Sequence, residues 1–267
     1  MTGHTLNEPI IFDDGAAYER YMGKWSRLVG EAFLGWMGPK SGLRWLDVGC
    51  GNGAFTDMII ERCAPASIHG IDPSEQQLAY ARSQPALAGA TFLNADAMAL
   101  PFPDHSFDVA VMPLVIFFVP EPARGVAEMA RVVGPGGTVA AYAWDMDGGG
   151  FPYELLRVQM AELGSAVPNA PRPDASGLGA MRSLWMGAGL DSVETREITV
   201  HRSFADFDDY WATVQGGPSL RSRLAGMESG NLALLKSRMQ AQLKKDAAGR
   251  ISCTARANAI VGRVPKG

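Results

Sequence analysis

Three glycines at alternate positions, Gly49, Gly51 and Gly53, sit in the run Leu46-Asp-Val-Gly-Cys-Gly-Asn-Gly53. Glycines spaced this way allow a tight turn and let a ligand approach backbone that a Cβ would otherwise shield. With Ala54 the run also satisfies the relaxed dinucleotide fingerprint G-x-G-x-x-G/A. Asp47, two positions before Gly49, separates the two chemistries. A carboxylate at the mouth of the loop repels a pyrophosphate, whereas S-adenosylmethionine presents an ammonium and a sulfonium, both cationic. The competing role for Asp47 is to accept hydrogen bonds from neighbouring backbone amides.

Two more carboxylates recur at similar places. Asp72, in Gly70-Ile-Asp-Pro-Ser74, lies about 20 residues past the loop, where a carboxylate accepts the ribose hydroxyls of an adenosine. That role does not distinguish NAD from S-adenosylmethionine. The alternative is an N-cap, which Ser74 already provides. Asp96, in Asn94-Ala-Asp-Ala97, suits an adenine amino group with Ala97 and Met98 against the ring, or else is a turn aspartate.

The elements that must position these residues follow from periodicity. Strands are expected at Leu43–Val48, Ser67–Ile71, Thr91–Asn94, Asp108–Met112 and Thr138–Trp144. Helices fall between them: one through Cys63, one capped by the Ser74-x-x-Gln77 box, and one over Glu121–Val133 stopped by Gly134-Pro-Gly-Gly137. An earlier amphipathic helix, capped at Asp13 or Asp14, carries Tyr18, Tyr21, Trp25, Val29 and Phe33 and ends near Gly38-Pro39. Alternating strands and helices imply a parallel sheet covered on both faces, with its ligand crevice beyond the strands' carboxyl ends. Each motif above falls at such an end. After Gly148-Gly-Gly150, helices are expected over 151–164, before Gly187 and across 205–246, and strands at Ser192–Phe204 and Ile251–Val264.

Taken in order, these motifs resemble those of the class I S-adenosylmethionine-dependent methyltransferases, in the UbiE-like branch called methyltransferase type 11. Leu100-Pro-Phe-Pro-Asp-His-Ser-Phe-Asp108 and Glu128-Met-Ala-Arg-Val-Val-Gly-Pro-Gly-Gly137 extend the resemblance, which covers about residues 40–145. The opening Tyr18-Glu-Arg-Tyr-Met-Gly-Lys-Trp-Ser-Arg27 resembles the lid helix of many members. The resemblance implies a Rossmann-like, doubly wound seven-stranded sheet, mainly parallel with an antiparallel last strand. It divides the chain into a lid region (1–39), a cofactor-binding core (40–147), and a remainder with two strands and substrate-cap insertions (148–267).

It also implies site roles. Gly49, Cys50, Gly51 and Gly53 would wrap the methionine portion; Asp72 with Pro73 would hold the ribose; Asp96 and Ala97 would bind the adenine. Met112, after the fourth strand, would offer its carbonyl to the ammonium. Tyr21 and Trp25 would close over the cofactor, or simply pack in the core, and Arg27 is a further partner for the carboxylate.

Displacement at an activated methyl asks mainly for positioning and water exclusion. No general base stands out. His69 and His105 read as structural or exposed, and His201, near the end of the sixth strand, is the better candidate. Many relatives carry a histidine shortly after the fourth strand, where this chain has Phe117 in an apolar stretch. Phe204, Phe207, Tyr210 and Trp211 form either a patch for a flat acceptor or ordinary helix packing. Asp145 and Asp147 are adjacent carboxylates, and no metal is expected.

The bulk numbers agree with a globular enzyme. Of 267 residues, 47% are apolar and 19% charged, enough for a sizeable core. A net charge of −4 disfavours nucleic acid and anionic membranes as partners. Three scattered cysteines fit neither a disulfide framework nor a zinc site, and no apolar run or leader is evident, so a cytoplasmic location is expected. The expected activity is methyl transfer from S-adenosylmethionine to a small molecule, with S-adenosylhomocysteine as product. The alternatives are a non-catalytic S-adenosylmethionine-binding protein and an NAD-dependent oxidoreductase.

Overall fold

The computed structural model describes residues 19–217 and 220–266. Seven strands form one sheet: β1 (Arg44–Val48), β2 (Ser67–Asp72), β3 (Thr91–Asn94), β4 (Phe107–Pro113), β5 (Val133–Trp144), β6 (Asp191–Phe204) and β7 (Ile251–Arg263). Their spatial order is β3-β2-β1-β4-β5-β7-β6. The first five pair in parallel, and β7 runs antiparallel between β5 and β6. This is the expected doubly wound seven-stranded sheet. Chain order reverses between β1 and β4, so the loop leaving β1 opens at the switch point, where a crevice forms between diverging connections.

Burial explains why the central strands are continuously apolar. Val109, Ala110, Val111 and Met112 of β4 and Val139 through Trp144 of β5 are all buried, because helices cover both faces. The covering helices are α1 (Lys24–Met37), α2 (Ala54–Cys63), α3 (Glu75–Ser83), α4 (Pro122–Val132), α5 (Glu154–Glu162), α6 (Leu178–Gly187), α7 (Phe207–Val214), α8 (Leu220–Ala225) and α9 (Ser229–Gln242). Along α1, Trp25, Val29 and Phe33 recur every four residues and are fully buried. The helix stops at Gly38, which takes a left-handed φ of 54° and donates its N–H to the Leu34 carbonyl. Tyr18 and the proposed Asp13 or Asp14 cap lie outside the described residues. A five-residue π-turn, Glu19–Gly23, leads into α1 instead.

Two expectations need correction. Gly134-Pro-Gly-Gly137 does not lie in a loop after α4. It bulges within β5, whose pairing with β4 jumps from Phe107↔Val133 to Val109↔Thr138. Gly136 at φ 77° makes the bulge, and the Val264 carbonyl accepts its N–H. Met112 is not beyond β4 but inside it, paired with Ala141, because the ladder to β5 continues to Pro113↔Tyr142.

One apolar core runs from Tyr21 to Ile260 and takes in side chains from α1, the sheet and the helices after residue 150. A smaller cluster of Cys50, Leu78, Ala81, Leu87 and Phe92 supports the glycine loop from behind. No helix among the described residues is long and apolar enough to cross a membrane.

Candidate functional site

The glycine loop is built from left-handed backbone. Gly49, Gly51 and Gly53 have φ of 75°, 53° and 86°, a region where a side chain is strained. Their surroundings differ. A Cβ on Gly49 would meet the Val115 side chain at 2.5 Å, and one on Gly53 would meet Leu87 at 2.4 Å. A Cβ on Gly51 would meet nothing within 4 Å. Gly51 therefore forms the open lip of the loop, while its two neighbours are packed against protein.

The loop amides are largely spent on the protein itself. Gly49 and Cys50 both donate to the Ile71 carbonyl, at 2.8 and 2.9 Å, and Gly53 donates to Cys50. Gly51 donates to Asp72 Oδ2 at 3.0 Å, and Ala54 to Asn52 Oδ1. Asp72 Oδ1 accepts the Ser74 N–H at 2.8 Å, so Asp72 ties the loop to the start of α3. Ser74 caps α3 through its hydroxyl, as its spacing to Gln77 predicts. Burial raises the Asp72 carboxyl above the usual range, and its two backbone partners act in the opposite direction.

Asp47 is fully buried. Its Oδ2 accepts a 2.7 Å hydrogen bond from the Thr56 hydroxyl, while Oδ1 has no partner. The suggested bonds to neighbouring amides are replaced by this hydroxyl from α2. Desolvation pushes the carboxyl up to about 7, against the Thr56 hydrogen bond, with the Asp72 charge adding a smaller rise. A buried acceptor left unmade is costly, so Oδ1 marks where a donor or a cation belongs. Burial likewise drives the Cys50 thiol far above its ordinary range, which makes it packing and not a nucleophile.

The remaining predicted residues fall along the same carboxyl edge. Asp72 pairs in register with Asn94, and Asp96 follows β3. The β1 loop, Asp72 and Asp96 thus occupy three adjacent strand ends, each about 4.8 Å from the next. Asp96 is exposed and makes a turn bond, its Oδ1 accepting the Met98 N–H at 2.8 Å. Pro73 is exposed, and its carbonyl accepts from Asn94.

A cleft of about 220 Å³ separates the loop from the segment Glu19 to Arg27. Glu19, Gly23 and Ser26 form one wall, Asn52 and Gly53 the other, and Tyr142 is among the lining residues. Arg27 also lines it, but its guanidinium is held by Glu31 at 3.3 Å and Glu61 at 3.1 Å. Tyr21 and Trp25 turn away to the opposite face. Tyr21 stacks on Tyr153 with centroids 4.4 Å apart, and the Trp25 indole N–H donates to the Tyr153 hydroxyl at 3.0 Å.

Several expectations do not converge on this edge. His201 is exposed on β6, at the sheet's margin, with Nδ1 3.1 Å from Thr254 Oγ1. Four strand spacings separate β6 from β1. His69 lies within β2 against Phe102 and Phe107, and burial lowers its pKa. Phe117 is buried. Phe204, Phe207, Tyr210 and Trp211 are buried against one another, Phe207 stacked on Tyr210 and Trp211 and Phe204 edge-on to Tyr210, so they pack among themselves. Asp145 accepts from Arg256 and from the Gly148 N–H, which occupies both its oxygens.

Sequence reasoning missed Thr56, Tyr142, Tyr153 and Arg131. Arg131 clamps the Leu100–Asp104 segment: it donates to the Leu100 and Phe102 carbonyls and pairs with Glu128 and Asp104. Its place in the Glu128-to-Gly137 motif was the available signal. Thr56 and Tyr153 had none: Thr56 meets Asp47 only across a loop, and the partners of Tyr153 are remote in sequence.

Comparison with known proteins matches this geometry. Residues 46–141 fit the family described as Methyltransferase domain. A rice protein named 2-methyl-6-phytyl-1,4-hydroquinone methyltransferase 2 is 42% identical over 36% of this chain and 27% of its own length. The Roseobacter denitrificans ubiquinone/menaquinone biosynthesis C-methyltransferase UbiE is 33% identical over 42% of this chain and 46% of its own. The matched segment thus spans less than half of either curated relative. In fold, the chain is similar to Haemonchus contortus phosphoethanolamine N-methyltransferase 2 in complex with S-adenosyl-L-methionine. That match has a TM-score of 0.58 and 20% identity, over 93% of this chain and 56% of that one. Residues 46–141 are thus similar to the class I S-adenosylmethionine-dependent methyltransferases of the UbiE-like branch.

Proposed function

We propose that this protein transfers a methyl group from S-adenosylmethionine to a small organic acceptor. The observation that carries the reading is the loop's polarity. Its amides at 49, 50, 51, 53 and 54 are already bonded within the protein, whereas a pyrophosphate cradle needs free N–H groups. Beside them lie two carboxylates and the unpartnered Asp47 Oδ1. A donor-poor, acidic loop suits a cationic ligand and penalises a dinucleotide.

In this reading the ammonium lies toward Asp47 and the carboxyl end of β4, just past Met112, and the open lip of Gly51 receives the methionine portion. Asp72 accepts ribose hydroxyls with the lone pairs that Gly51 and Ser74 leave over. Asp96 and Ala97 meet the adenine. Residues 19–39 and the described residues after 147 flank this core and form the acceptor side in this reading. The cofactor, when bound, supplies a methyl on a positively charged sulfur that departs as a neutral thioether. The chain's own residues bind, orient and exclude water.

None of the three described histidines reaches the loop, so the acceptor is one that ionises readily, a phenol, a hydroquinone or a carbon acid. The test is transfer of labelled methyl from S-adenosylmethionine to 1,4-naphthoquinol, a simple phenol and a primary amine. Label in the quinol or phenol supports the reading. Tight S-adenosylhomocysteine binding with no transfer to any acceptor favours a non-catalytic binding protein, which the buried, apolar Phe117 makes the second reading.

A further inference from the structure

The turn before α1, which walls the cleft beside Asn52 and Gly53, is held by side chains from the far half of the chain. A π-turn such as Glu19–Gly23 spaces its hydrogen bonds at i→i+5 and leaves carbonyls to be satisfied from outside. Here the Tyr21 carbonyl accepts from the Tyr153 hydroxyl at 2.7 Å. Arg202 Nη1, from β6, donates to the Arg20 and Tyr21 carbonyls at 3.1 and 3.2 Å and to the Tyr153 hydroxyl at 3.3 Å. The same hydroxyl accepts from Trp25 Nε1 at 3.0 Å, and the Tyr153 ring stacks on Tyr21. Tyr153 is 1% exposed, so water cannot replace these partners. On its other face the turn presents Glu19 and Gly23 to the cleft beside Asn52 and Gly53.

We propose that Tyr153, with Arg202, is a positioning latch: it fixes the Glu19–Gly23 turn across the cleft and sets how long the cofactor stays bound. The inference rests on the cofactor reading above. Neither residue touches the cleft; both act through the turn. Tyr210 supplies an internal control. It is equally buried in the same aromatic cluster and packs against the Tyr153 ring edge to face.

The experiment measures S-adenosylhomocysteine dissociation by stopped flow for the full-length protein, Tyr153→Phe, Arg202→Met and Tyr210→Phe. Amide exchange across residues 19–23 is followed alongside. Tyr153→Phe is expected to dissociate about tenfold faster, the equivalent of one buried hydrogen bond. Arg202→Met should move the same way, both should speed exchange at 19–23, and Tyr210→Phe should match wild type. If Tyr153→Phe does not fold, the exposed-edge variant Arg202→Met decides. Wild-type dissociation rates in both latch variants overturn the latch while leaving the cofactor reading intact. Failure of the wild type to bind S-adenosylhomocysteine removes that reading and the latch with it.

Discussion

Asp47 shows how a buried carboxylate with an unmade hydrogen bond costs stability. Its carboxyl is buried, bonded through one oxygen only, and raised to about 7. Because the folded state holds its proton more tightly than the unfolded chain, the native protein binds more protons between pH ~4 and ~7. Asp47 therefore lowers the stability of the ligand-free protein as pH rises through that window, with the full cost above it. Asp47→Asn should be more stable than wild type at pH 8 by on the order of 2–4 kcal/mol. The difference should vanish near pH 4, and affinity for S-adenosylhomocysteine should fall; urea titrations across pH check this. Gly49 and Gly51 make a matched pair. Gly49→Ala meets Val115 and should cost about 3 kcal/mol of stability. Gly51→Ala faces open space and should cost about 1 kcal/mol, while impairing ligand binding more than its stability loss explains. Asp47, Asp72 and the glycines were legible because their chemistry lies in short local spacings. Thr56 was not, since its hydroxyl meets Asp47 only once α2 folds back on β1.

At the scale of elements, periodicity located the strands to within a few residues apart from the start of β5, and the central ones were plainest because they are apolar runs that must be buried. It failed at Gly134–Gly137, where glycine and proline read as a stop signal but form a bulge paired with the chain's end. Tertiary pairing, invisible locally, overrode the turn chemistry there. The N-terminal helix was legible as amphipathic, but its period does not say which partner the apolar face meets. Tyr153 now supplies that partner. Arg131 shows the converse: its motif was visible and its task was not. Its planar fork reaches two carbonyls and two carboxylates. Arg131→Lys should therefore destabilise nearly as much as Arg131→Met, by about 2 kcal/mol, since an ammonium cannot span the fork. Arg131 also holds the Glu128 carboxyl below its usual range. This contribution is present above the ordinary glutamate pKa and is lost as pH falls through the lowered one. Acid titration of wild type against Arg131→Met reads it directly.

For the whole molecule, one sheet and one core join the cofactor edge to the later helices. Strands β6 and β7 come from beyond residue 190, yet β7 pairs with β5 over seven positions from Thr138 to Trp144. Unfolding in urea should accordingly be a single transition, coincident by near- and far-ultraviolet circular dichroism. Two separated transitions would mean that the later helices fold apart from the sheet. The acceptor was the least legible feature at every scale. The aromatics that suggested a binding patch pack against one another instead. The identity of the cofactor is decided by calorimetric titration of S-adenosylhomocysteine and of NADH into wild type and Asp72→Ala. One-to-one binding of S-adenosylhomocysteine, lost in Asp72→Ala, with no heat from NADH is the expected result. Binding of NADH without S-adenosylhomocysteine would contradict it, and would mean that an acidic, donor-poor loop can hold a pyrophosphate after all.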